Sequence, residues 1–154
     1  MSVSILNDDT TNQEFLDFIV NEIHNAVVSS VNSTGNPTAQ VCDMLMVKDM
    51  KLFMTTSVNN PFFKCLISNP NIEVNGYKGN GTMDSCGFSL TATIKNIDHQ
   101  YLDEVFEKNP YLNEIYKDNL DEAKQELRIL EITPQKGAYL DHRVDPIYHR
   151  TFKF

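Results

Sequence analysis

Phe15, Leu16, Ile19 and Ile23 recur at three- and four-residue spacing, which lays one apolar stripe along a helix. Thr11-Asn12-Gln13-Glu14 has the form of a capping box, so the pattern predicts a core-docking helix from there to about Glu22. From His24 the period changes. Ala26-Val27-Val28-Ser29-Ser30-Val31 is rich in β-branched residues and runs into the turn signal Asn32-Ser33-Thr34-Gly35-Asn36-Pro37, which predicts a hairpin whose return strand covers 38–48. A tight turn at Lys48-Asp49 leads to a third strand over 51–57. Ile72, Val74 and Gly76 alternate with Glu73, Asn75 and Tyr77 in a fourth, and Gly79-Asn80-Gly81 makes the next turn. In the fifth strand Phe88, Leu90, Ala92 and Ile94 point one way and Ser89, Thr91, Thr93 and Lys95 the other, leaving one face wet or lining a polar site.

Asp98 is a candidate N-cap for a helix carrying Leu102, Val105 and Phe106, which Asn109-Pro110 should end because the residue before proline leaves the helical region. A shorter helix through Leu112, Ile115 and Tyr116 follows. Two more strands are expected over 126–133 and 137–141, separated by the turn Pro134-Gln135-Lys136, and the tail over 142–154 alternates too weakly to assign. The sum is a mainly β fold of six or seven antiparallel strands with three or four peripheral helices, in one domain spanning 1–154.

Length and charge narrow the class. The 154 residues, 41% hydrophobic, suffice for one domain with a real core. A formal charge of -8 repels nucleic acid and anionic lipid over most of the surface, so neither is expected as a partner. No basic stretch with an apolar run follows Met1, no long apolar run occurs, and Cys42, Cys65 and Cys86 form an odd, widely spaced set. Cytoplasmic residence with free thiols is the expectation.

Conventional catalytic constellations are absent. His24, His99, His142 and His149 show no pair at helical spacing and the cysteines form no C-x-x-C, so no metal site is expected and no side chain is assigned a catalytic role. Cys42 reads as a small buried hydrophobe before it reads as a nucleophile. Asp43, an acid within an apolar strand, must be solvated, paired or at a site. The stretch KLFMTTSVNNPFFKCLISNPNIEV, residues 51–74, carries the densest chemistry. Thr55, Thr56, Ser57 and Asn60 offer neutral donors, the start of the following helix offers backbone amides, and Lys64 offers a buried-looking charge one turn on. Together they would suit a phosphate monoester, while the same residues are also ordinary turn chemistry.

This stretch, followed by a glycine turn, the strand CGFSLTATI, an acidic helix and KNPYLNEIY, resembles the pyridoxamine 5'-phosphate oxidase-like family of FMN-binding split barrels over about residues 10–141. The resemblance implies an antiparallel split β-barrel and a homodimer with flavin at the subunit interface. It places Thr55, Thr56 and Ser57 against the flavin and its ribityl phosphate, Asn60 at a frequent serine and Lys64 at a basic position. Gln40, Val41 and Cys42 fall on the strand that passes the isoalloxazine ring. Phe62 stands where many members have a phosphate-binding lysine, and Gln40 where many have arginine; both departures weaken the anion site. The activity implied is FMN-dependent oxidation or reduction of a small molecule such as a quinone or nitro compound. The alternative is a non-catalytic flavin- or haem-binding protein, with His142 or His149 as an axial ligand.

Overall fold

The computed structural model describes residues 3–154; Met1 and Ser2, where the expectation about a leader begins, lie outside the described residues. Thr11 caps helix α1 (Asn12–Phe18) with both halves of the capping box in place, and the helix continues as one π turn over Ile19–Ile23. His24 then takes φ 63°, ψ -59°, and the chain enters strand β1 (Asn25–Val31). The hairpin partner is β2 (Pro37–Asp43), paired in register from Asn25 opposite Asp43 to Val31 opposite Pro37. The expected return strand over 38–48 is thus broken. Met44 and Leu45 turn inward as core residues, and Met46–Lys48 becomes a separate strand, β3, paired with β4 (Lys51–Ser57).

Helix α2 (Pro61–Ser68) leads to the long pair β5 (Asn71–Gly81) and β6 (Asp84–Asn96). Helices α3 (Leu102–Lys108), α4 (Tyr111–Ile115) and α5 (Leu120–Glu126) precede β7 (Leu127–Asp141), and β8 (Tyr148–Lys153) ends the fold. The strands form one antiparallel sheet in the order β2-β1-β5-β6-β7-β4-β3, with β8 added to β7. Since β2 and β3, the two ends of that order, are joined only by Met44 and Leu45, the sheet must curl into a split barrel. Leu45 N–H bonds Phe53 C=O at 2.8 Å across the join.

Two apolar clusters result. Leu52 and Met54 of β4 face the cluster inside the curl with Phe15, Leu16, Leu90 and Phe152. Phe53, one residue out of phase, faces the cluster under α3 and α4 with Leu102, Val105, Phe106 and Leu112. This double burial explains why Leu52-Phe53-Met54 of β4 form an unbroken apolar run.

Three expectations need correction. Asp98 sits in a turn at φ 55°, not at a helix N-cap; the cap of α3 is Tyr101, in the left-handed region. The two strands over 126–133 and 137–141 are one strand with a bulge: Thr91 pairs Lys136 while Ala92 pairs Pro134, leaving Gln135 as the extra residue. Pro134 is tolerated because it falls between the end of β7's pairing with β4 at Ile132 and the start of its pairing with β8 at Lys136. The tail, unassigned from sequence, supplies β8. Finally, Lys64 is exposed. Phe62 and Leu66, four residues apart on α2, take the buried face, and Lys64 lies between them in sequence on the opposite side.

Candidate functional site

β2, the end of β4, the N-terminus of α2 and helix α4 surround a cavity of about 370 Å³, at the small end of ordinary ligand pockets. Its lining includes Gln40, Val41 and Cys42 from β2, Thr55, Thr56 and Ser57 from β4, and Asn60, so seven of the eight residues singled out from sequence converge on one space. Lys64 does not line it. Three strands of chain that are distant in sequence meet there because the sheet curls at Met44–Leu45, which brings the β2 edge over the β4–α2 turn.

The polar side of the cavity is a closed network. Gln40 Nε2 donates to Asn60 Oδ1 at 3.3 Å, and Asn60 Nδ2 donates to Gln40 Oε1 at 2.9 Å and Thr56 Oγ1 at 3.2 Å. Asn60 also caps α2, its Oδ1 accepting from Phe62 N–H at 3.1 Å. The amides expected to be free at this helix start are therefore committed: Pro61 has none, Phe62 takes the cap, and Phe63 N–H donates to Asn60 C=O. Thr55 Oγ1 donates to Arg128 C=O at 2.9 Å, and Ser57 Oγ accepts from Asn59 N–H.

Asp43 resolves as both paired and at the site. Its Oδ2 accepts the Tyr111 hydroxyl at 2.6 Å and its Oδ1 accepts Asn25 Nδ2 at 2.5 Å, while His24 Nε2 lies 2.9 Å from the Tyr111 hydroxyl and 3.6 Å from Asp43 Oδ2. Burial first, then the hydrogen bond to Asp43, pushes the Tyr111 phenol well above its ordinary range. Tyr116 is raised too, by burial first and then by the negative charge of Asp43. The Cys42 thiol is pushed up to about 11 by burial and by neighbouring Asp43, so it remains a thiol at neutral pH and is not a poised nucleophile.

The apolar side comes from Leu45, Leu112, Ile115, Tyr116 and Leu127. Sequence reasoning does not assign these to the site, although the run from Asn109 to Tyr116 is conspicuous; α4 is held at the cavity by the packing of Leu112 in the second cluster and by the Tyr111–Asp43 hydrogen bond. The rim is open. Val41 is 71% exposed and Ile115 61% exposed on its two sides.

A flavin can be tested against this lining. Apolar walls beside neutral amides and hydroxyls fit a tricyclic ring and a polyol chain. A phosphate does not fit: the lining contains no lysine, arginine or histidine, and its one formal charge is Asp43. Among the described residues no group of three metal-ligating side chains occurs, and no helix is long and apolar enough to cross a membrane.

Curled sheet, broken β2–β3 connection and flanking helices define a split β-barrel. No protein-family model and no curated protein sequence matches the chain. Among solved structures it is similar to a NimC/NimA family protein from Clostridium acetobutylicum, with 21% identity, TM-score 0.65, and coverage of 92% of this chain and 89% of that one. It is also similar to a protein of the pyridoxine phosphate oxidase family from C. acetobutylicum related to general stress protein 26 of B. subtilis, at 19% identity and TM-score 0.68 over 94% and 96% of the two chains. A third is a heme binding protein from Mycobacterium smegmatis, at 9% identity and TM-score 0.71, covering 97% of this chain and 60% of that one. The chain thus has the pyridoxamine 5'-phosphate oxidase-like split-barrel fold.

Proposed function

We propose that this chain is a flavin-binding oxidoreductase of the pyridoxamine 5'-phosphate oxidase-like class, acting on a small electrophile such as a quinone or nitro compound. The observation that carries this is the convergence of Gln40, Val41, Cys42, Thr55, Thr56, Ser57 and Asn60 on one half-apolar cavity of the split barrel. What a bound flavin supplies is hydride or electron transfer. The chain's own residues do the rest: Leu112, Tyr116 and Leu127 exclude water from one side, and the Gln40–Asn60 pair presents amide edges from the other. Tyr111 holds its proton toward Asp43. FMN is the form implied by the resemblance; the ring and ribityl portions have matching groups in the cavity, the phosphate does not.

The open rim supports a homodimer as part of the proposal. A second copy set against Val41, Ile115 and the unpaired edge of β2 would enclose a ring that one chain leaves open. A second reading, haem binding, has one feature in its favour: His149 lines a separate, largely apolar groove of about 380 Å³ with Tyr77, Phe88 and Leu140. His142 is engaged with Thr82 C=O at 2.8 Å. The visible spectrum of the purified protein tests both. A structured flavin band supports the first reading. A Soret band abolished by His149→Ala would replace it with the second.

A further inference from the structure

Resting on the flavin reading, we infer that this cavity selects a phosphate-free flavin, of the riboflavin type, over FMN. At the end of the cavity where β2 passes the start of α2, Gln40 and Asn60 face each other and exchange two hydrogen bonds, each amide donating to and accepting from the other. A phosphate monoester is close to a dianion at neutral pH and needs donors that are free and charges that are positive. This end has no positive charge, and its helix-start amides are taken, which leaves only neutral side-chain donors. Both Asn60 amide hydrogens are within reach of neutral partners, Gln40 Oε1 and Thr56 Oγ1, and the first N–H of α2 is held by Asn60 itself.

Arg128 and Lys64, on elements beside the cavity, are committed elsewhere or lie outside its lining. Arg128, opposite Thr56 in the β4–β7 ladder, donates to the carbonyls of Gln125 and Leu127, contacts His99 and lies 3.7 Å from Asp98. Lys64 is exposed on α2 outside the lining. Against these, Asp43 places a carboxylate on the wall, and the chain as a whole carries -8. A dianion would meet repulsion at short and long range, whereas a ribityl hydroxyl can exchange hydrogen bonds with Gln40, Asn60, Thr56 and Ser57 without breaking any charge balance.

Fluorescence titration of the whole chain with riboflavin and with FMN tests this. Riboflavin is expected to bind at least as tightly as FMN, and FMN affinity alone is expected to rise as salt is raised from about 20 to about 300 mM, because salt screens the repulsion. The double variant Gln40→Arg with Asn60→Lys is expected to shift preference toward FMN by about ten- to hundredfold, the gain of a charge-assisted contact. FMN binding the wild type about tenfold or more tightly than riboflavin would overturn the inference and leave the flavin reading standing. Failure of both flavins to bind would overturn both.

Discussion

Asp141 is the most constrained ionisable residue outside the cavity. Its side chain is fully buried at the end of β7, held by Arg143 Nη2 at 2.7 Å, Arg143 Nε at 2.8 Å and the Tyr139 hydroxyl at 2.6 Å. Burial raises its carboxyl, but the Arg143 and Tyr139 hydrogen bonds outweigh this and bring it from 3.8 to about 2. A value depressed in the folded state stabilises the fold above the unfolded value and is lost as pH falls through the folded one. Stability is thus expected to drop by roughly 2 kcal/mol between about pH 5 and pH 2 on account of this group. Urea unfolding of the wild type and Asp141→Asn across that range checks it: the variant should be less stable at pH 6 and show a shallower acid loss. Arg143 also donates to the carbonyls of Val3 and Ser4, so the same variant should raise hydrogen exchange in the N-terminal segment.

At the scale of elements, β8 and α2 carry the clearest expectations. Phe152 of β8 stacks on Phe15 of α1 with ring centroids 4.1 Å apart and planes 3° apart, and both rings are almost fully buried. Phe152→Ala should cost about 3–5 kcal/mol by loss of transfer energy and the cavity left behind, read by chemical denaturation, with exchange protection lost first in 148–153. Asn60→Ala removes the cap of α2 and strips Gln40 of its partner; a loss of about 1–2 kcal/mol is expected. Asn60→Asp should restore the cap share only. These elements also show what the sequence could and could not disclose. The capping box of α1, the β1–β2 turn and β4 are written locally, in residues that touch their own neighbours. The bulge at Gln135 is not, because Pro134 reads as a turn until two different partner strands are known to meet on either side of it. Nor is β8, whose buried Phe152 is flanked by exposed Thr151 and Lys153 and finds its meaning in α1, far away in sequence. Lys64 escapes a local reading for a related reason: apolar neighbours suggest burial until the helical phase, fixed by Phe62 and Leu66, turns it outward.

For the whole molecule, the seven cavity residues legible in sequence lie in two short runs, 40–42 and 55–60, whereas Asp43's partner Tyr111 lies 68 positions away and no local signal joins them. Curling of the sheet through Met44–Leu45 brings those runs to one cavity, whose rim is open at Val41 and Ile115. The proposed homodimer should sediment at about twice 17.6 kDa, and Val41→Asp with Ile115→Asp, which charges both exposed rim positions, should shift it to monomer and weaken flavin binding together. A stable monomer that still holds flavin as tightly as the native protein would remove the dimer from the account. The most direct test of the central claim, that a flavin occupies the cavity between β2, the β4–α2 turn and α4, is saturable quenching of riboflavin fluorescence by the wild type and by Ser57→Trp, a variant that fills the cavity from its wall. Quenching that saturates for the wild type and is weakened at least about tenfold in the variant, with circular dichroism unchanged, is the expected result; quenching that does not saturate, or that is equal in the two proteins, would contradict it.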